Sequence, residues 1–235
     1  MIGITQTQSP KLPHLFTTHD PMLYWQHVEL MDPEIILAKL LAYQIVGKTR
    51  ISLSDLLPPN TARRDFSIDL AGKICQTLGK MPSKIVKPQT IKHPDKLSVG
   101  ADKHGAFGWI NAQGAESFDW VISLPVYGER QGIPKRRLIL GQSKMRLNGV
   151  RPTSKTSPSI SKAVVMKEFA KVKPWFKSSG VEEAHFVFVT NARFVDSLDS
   201  ATLQNVTIVD QGGHDKYFGA SLAATRRDAA HYTVA

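Results

Sequence analysis

Phe118-Asp119-Trp120-Val121-Ile122-Ser123-Leu124 and Arg136-Arg137-Leu138-Ile139-Leu140-Gly141-Gln142-Ser143-Lys144 are the two stretches on which the fold turns. Both read as strands. Between them lies Tyr127-Gly128-Glu129-Arg130-Gln131-Gly132-Ile133-Pro134, whose Gly and Pro suit a hairpin connection. Side chains alternate along a strand, so Gln142 and Lys144 point the same way. An Asp on one strand and a Gln-x-Lys at the end of the next can therefore bring Asp119, Gln142 and Lys144 to a single sheet edge.

Working outward, a polar loop at 153–159 leads to a helix with Ile160, Val164, Val165, Phe169 and Val172 as its apolar face. Ala184-His185-Phe186-Val187-Phe188-Val189-Thr190 is nearly all apolar, as a buried central strand requires. Thr207–Asp210 reads as a short strand after a helical turn at Ala201–Gln204, and Lys216–Arg227 as a last helix. Upstream, Phe107–Ile110 is a short strand, and Ile85-Val86 and Leu97–Val99 are weaker ones in a Pro-, Lys- and His-rich stretch. A helix is predicted from Thr61 through Phe66, Leu70, Ile74 and Leu78 to a stop at Gly79. Residues 21–46 have helical spacing, with Asp32-Pro33-Glu34 as an N-cap that divides them into two helices. A hairpin followed by a helical crossover to a buried strand gives an α/β fold: a mixed sheet flanked by helices. Residues 1–58 are expected to form an irregular arm and a helical extension, and 59–235 the main domain.

The chain has 235 residues and a formal charge of +10. That charge favours a polyanion as partner, nucleic acid before an anionic membrane surface. It is concentrated: residues 129–177 hold thirteen Lys or Arg and only two acids. Arg130, Lys135, Arg136, Arg137, Arg146, Arg151, Lys155 and Lys162 are the expected phosphate track beside the edge where Asp119, Gln142 and Lys144 meet. A single cysteine, Cys75, excludes an internal disulfide and cysteine-rich zinc sites and suggests an intracellular, reducing setting. No apolar run approaches a bilayer span, so no membrane role is expected. Residues 1–7 do not read as a signal peptide.

With these elements in this order, residues from about 60 to 215 resemble the PD-(D/E)xK nuclease superfamily, the restriction-endonuclease-like fold. Within it the chain is similar to the nuclease-like C-terminal domains of crinkler effectors and retrotransposon hot-spot proteins, on the Phe118-Asp119 and Gly141-Gln142-Ser143-Lys144 contexts. The resemblance implies an αβββαβ core and phosphodiester hydrolysis with Mg²⁺ or Mn²⁺ on nucleic acid, double-stranded DNA in the first instance. It also implies a nuclear location, in a host cell if the effector likeness holds. Asp119 would be the bridging metal ligand, Gln142 would offer its side-chain oxygen and Ser143 its backbone carbonyl. Lys144 would orient or deprotonate the attacking water, or stabilise phosphate charge. Many members carry an acid on the first helix, for which Asp65 and Asp69 are the candidates. Two departures stand out. Gln142 replaces an acid, which weakens metal affinity, and Phe118 stands where the motif has Pro.

Two other functions remain open on sequence alone: a DNA-binding module of the same fold that does not cut, and a basic protein-interaction module. The N-terminal helices could serve a homodimer. Ala42–Thr49 fits a relaxed Walker A pattern, but a helical segment leads into it and its interior is apolar, so an NTP site is not expected. The histidines are scattered without metal-ligand spacing, and Gly219–Ala223 lacks the second Gly of a nucleophile elbow.

Overall fold

The two stretches pair as a hairpin. In the computed structural model Trp120–Pro125 and Arg136–Lys144 run antiparallel, with Trp120 opposite Gly141, Ile122 opposite Ile139 and Leu124 opposite Arg137. The structure describes residues 21–57, 65–74, 79–80, 105–111, 117–126, 135–144, 159–178, 180–197, 204–213 and 216–217, with side chains from Asp32 onward and excluding 79–80.

In chain order the strands are β1 (Arg50–Ser52), β2 (Ser67–Asp69), β3 (Gly79–Lys80), β4 (Phe107–Ile110), β5 (Trp120–Pro125), β6 (Arg136–Lys144), β7 (Ser159–Ile160), β8 (Val181–Thr190), β9 (Arg193–Phe194) and β10 (Val206–Val209). The helices are α1 (Pro21–Ile45), α2 (Leu53–Leu56) and α3 (Lys162–Val172), which runs into a 3₁₀ turn at Lys173–Lys177. The main sheet has the order β10-β8-β6-β5-β4-β3. β4, β5 and β6 are mutually antiparallel, whereas β8 is parallel to both β6 and β10. The protein is thus an α/β fold on a mixed central sheet.

Alternation along β5 and β6 divides the core in two. Trp120, Ile122, Leu124 and Ile139 face α1, where Ile36, Leu37 and Leu40 join them with Val187 and Val189. Val121, Leu138 and Leu140 face the other way, against Val165, Phe169 and Val172 of α3, Trp175, Phe186 and Phe188. A crossover from β6 to a parallel β8 needs a helix between them, and α3 supplies it.

One pairing fixes this register. The Trp120 indole lies on the backbone of Gly141, so that a Cβ placed there would stand 1.8 Å from the ring. Only glycine fits under that indole.

Three expectations are corrected. Residues 21–45 form one helix, not two, with Pro33 inside it. An internal proline costs about 3 kcal/mol, but burying Ile36, Leu37 and Leu40 at roughly 1.5–3 kcal/mol each more than offsets it. Nor is this segment an extension outside the domain, because those three residues are part of the core that β5, β6 and β8 share. Finally, the helix predicted through Phe66 and Leu70 is an extended segment: Ser67–Asp69 pairs antiparallel with β1, and Ile74 bridges Ala106. Phe66, Ile68 and Leu70 are buried while Ser67 is exposed, a period of two.

The strands predicted at Phe107–Ile110, Ala184–Thr190 and Thr207–Asp210 are present to within a few residues. Those predicted at 85–86 and 97–99, the 127–134 connection, most of the 201–204 turn and all but the start of the 216–227 helix lie outside the described residues.

Gly141→Ala is expected to cost about 3 kcal/mol or more, since overpacking beside a rigid, fully buried ring cannot relax. The urea midpoint of unfolding measures it.

Candidate functional site

Asp119 is held in place before its side chain is considered. Its N–H donates to Gly141 O at 2.8 Å, and its carbonyl accepts from Asn111 N–H at 2.7 Å. The Asn111 side chain donates to Phe118 O at 3.0 Å. Phe118 is fully buried and packs edge-on against Trp175, with ring centroids 5.1 Å apart. A buried ring thus anchors the position where the resembled motif has proline.

From there Asp119 meets the Gln-x-Lys strand. Its Oδ2 accepts from Gln142 Nε2 and from Ser143 N–H, each at 2.7 Å. With the amide nitrogen turned to Asp119, Gln142 Oε1 faces away from that bond and has no partner among the described residues. Burial raises the Asp119 carboxyl to about 6, against the lowering effect of the Ser143 and Gln142 hydrogen bonds and of nearby Lys144; Asp32 adds a smaller raising effect.

Asp32 is the acid that sequence reasoning missed. It is fully buried on α1, and its Oδ2 accepts from Ser143 Oγ at 2.6 Å. Ser143, expected to offer a carbonyl, enters through its other two polar groups: the N–H holds Asp119 and the hydroxyl holds Asp32. The signal for Asp32 was present, because Asp32, Ile36 and Leu40 fall at i, i+4 and i+8 on the buried stripe of the helix. A charge on such a stripe is uncommon unless paired.

The first-helix acids expected at Asp65 and Asp69 are elsewhere. Asp65 accepts from Ser54 N–H and Oγ at 3.1 and 2.8 Å. Asp69 pairs with Arg50 at 3.7 Å and caps Ala71 N–H. Both belong to the β1–β2 hairpin and neither reaches Asp119.

Lys144 lies on the same face of β6 as Gln142. Its Nζ is 2.9 Å from Glu168 Oε1, and Lys171 Nζ is 2.7 Å from Glu168 Oε2. Burial alone would raise the Glu168 carboxyl, but the bonds from Lys171 and Lys144 outweigh it and hold the group below its ordinary value. Glu168 was not foreseen as a site residue.

The expected phosphate track is only partly a surface. Arg136 is buried: Nε donates to Ser123 Oγ at 2.8 Å, Nη2 to Gly105 O at 2.8 Å and to Ser123 O at 3.0 Å, and the guanidinium stacks over Phe107. It is a core residue, because a fully satisfied guanidinium can be buried at a sheet end. Arg137 is tied to Glu182 and Glu183 at 3.0 and 2.9 Å. Both stand at the opposite end of β6 from Lys144 and are withdrawn from the track. Lys135 is exposed and Lys162 half-buried. Arg130, Arg146, Arg151 and Lys155 lie outside the described residues. Among the described residues no helix is long and apolar enough to cross a membrane, and no three His, Cys, Asp or Glu side chains gather as a metal cluster. The segment Ala42–Thr49 has no strand before it: it covers the end of α1 and a turn at Gly47.

Compared with protein-family models, curated proteins and solved structures, the chain matches none.

The raised Asp119 carboxyl gives a signed prediction. Well below the ordinary value of 3.8 the group is protonated folded or unfolded and costs nothing. As pH rises toward 6 the unfolded chain ionises first, so stability falls, and above 6 the full cost is present. Asp119→Asn, whose amide oxygen can still accept both hydrogen bonds, is therefore expected to be more stable than wild type at pH 7.5. The gain should be about 2–3 kcal/mol, and it should vanish as pH falls below the ordinary value of 3.8. Thermal melts across pH measure it.

Proposed function

We propose that the chain carries a divergent PD-(D/E)xK nuclease-like domain that binds DNA and hydrolyses its phosphodiesters with Mg²⁺ or Mn²⁺. One observation carries the reading: Asp119, Gln142 and Lys144 meet at one end of the β5–β6 pair, and a buried acid from the first helix, Asp32, joins them through Ser143. With the short elements β1, α2, β2, β3 and β7 set aside, the order α1-β4-β5-β6-α3-β8 supports it, since it matches the αβββαβ sequence of that fold. Asp32 takes the place that Asp65 and Asp69 were expected to fill.

The donor set suits a hard divalent cation. Asp119, Asp32 and the Gln142 side chain present oxygen alone, and the burial cost on Asp119 is that of a carboxylate with too little positive charge against it. Mg²⁺ keeps several waters, so few protein ligands suffice. Asp119 and Gln142 Oε1 would hold it, with Asp32 behind them. Bound there, the cation would supply Lewis acidity toward a phosphate oxygen and acidify a water. The chain's own residues do the rest. Ser143 keeps the two acids at fixed separation, and Lys144, standing as an ammonium beside Glu168, stabilises charge developing on phosphate.

A second reading has its own observation. Gln142 already donates to Asp119, so the pair is satisfied without a cation. That arrangement suits a module that binds DNA and does not cut it.

Plasmid cleavage with Mg²⁺, Mn²⁺ or EDTA separates the two. The expected result is metal-dependent nicking, lowered at least 100-fold in Asp119→Ala and Lys144→Ala, on the usual scale for lost electrostatic or acid–base groups. Cutting retained in both variants sinks the site assignment. No cutting, with a normal gel shift, moves the reading to the binding module.

A further inference from the structure

Glu168 has no part in the proposed hydrolysis, yet it is the most committed acid on the α3 face. Its side chain is 5% exposed, and its two oxygens are taken by two different lysines. Lys144 comes from the end of β6 and Lys171 from one turn further along α3. Each ammonium has three donors. One goes to Glu168, and among the described residues neither ammonium has a second partner. Both side chains are about a third open to solvent, at 37% and 36%.

A helix that needed only a surface ion pair would not bury the acid and leave both cations outside. Surface pairs of this kind contribute little. Two ammonium groups on one buried carboxylate form instead a fixed pair with a net positive charge, whose Lys144 shares a face of β6 with Gln142 and acts on Asp119.

We propose that Lys171 and Lys144 form a two-ammonium clamp for a backbone phosphate of nucleic acid, and that Glu168 is the positioning residue that sets it. The proposal rests on the nucleic-acid reading above and adds to it Lys171 as a substrate contact. Glu168 removes flexibility from two long side chains before the phosphate arrives, so less entropy is lost on binding. Lys144 thereby faces the phosphate at the cutting site and Lys171 faces a phosphate oxygen beside it.

The test needs no cleavage. A mixed-sequence DNA duplex is titrated with the full chain in EDTA across a salt series. Lys171→Gln and Lys144→Gln are each expected to reduce the slope of log K against log salt by about 0.9, the value for one phosphate contact. Glu168→Gln gives the decisive sign. It makes the protein more positive, so an acid with no positioning role would tighten DNA binding when neutralised. A positioning role predicts weaker binding, by about tenfold at low salt for a lost charged contact, with part of the loss restored in Glu168→Asp. Thermal melts accompany each variant. If Glu168→Gln does not fold, exposed Lys171→Gln decides alone. An unchanged slope in Lys171→Gln, or tighter binding by folded Glu168→Gln, overturns the clamp while leaving the nuclease site untouched. Absence of DNA binding by wild type overturns the nucleic-acid reading and the clamp with it. Absence of cutting bears on neither slope.

Discussion

The packing of the Trp120 indole onto Gly141 is the contact on which the other arrangements depend. Because strand side chains alternate with period two, a slip of one residue between β5 and β6 would exchange the faces of the sheet. Ile139 would leave the α1 core and Leu138 the α3 core. Asp119 would lose Gln142 as its cross-strand neighbour. A side chain at 141 would force such a shift or expel the largest ring of the α1 core. The glycine two residues before the Ser-Lys end of β6 is thus a packing requirement that also aims the chemistry.

With register fixed, the site is built from both faces of one strand. Gln142 and Lys144 lie toward α3, where Glu168 meets the lysine. Ser143 lies toward α1, where its hydroxyl meets Asp32. Asp119 stands at the end of β5 and receives both the Gln142 amide and the Ser143 N–H. Burial of this carboxyl, with a second acid nearby, outweighs the Ser143 and Gln142 hydrogen bonds and the charge of Lys144, and Asp119 is shifted upward. The acids Asp119 and Asp32 on one side and the Lys144–Glu168–Lys171 group on the other are the charges on which the proposed cation and phosphate contacts rest.

Net charge does not say which surface of the fold carries it. The basic segment from 129 to 177 is not one face. Arg136 points into the core and donates to Ser123 and Gly105. Arg137 is paired with two acids of β8. Among the described residues, the cations at the other end of β6 include two lysines organised by Glu168. Guanidinium groups, with five donors in a plane, can be satisfied inside a protein. Ammonium groups on flexible stems more readily keep their heads in water.

The sequence by itself determined the elements whose patterns are unambiguous. The alternation in β5 and β6, the apolar run of β8 and the apolar stripe of α3 could be read directly, and with them the convergence of Asp119, Gln142 and Lys144. Phe66, Leu70 and Ile74 could not, because a spacing of four satisfies both a helix and a strand; Ile68 decides for the strand, and its burial depends on the β1 partner. Asp32 read as an N-cap, since Asp before Pro commonly starts a helix, until the core showed that burying α1 outweighs the proline's lost bond. Glu168 and Lys171 do not read as site residues, because the pattern of α3 marks only its apolar face. Periodicity is local and survives in the sequence. Which long side chain crosses from a strand to a helix is set by distances in space, and those exist only once the two faces of the sheet are packed.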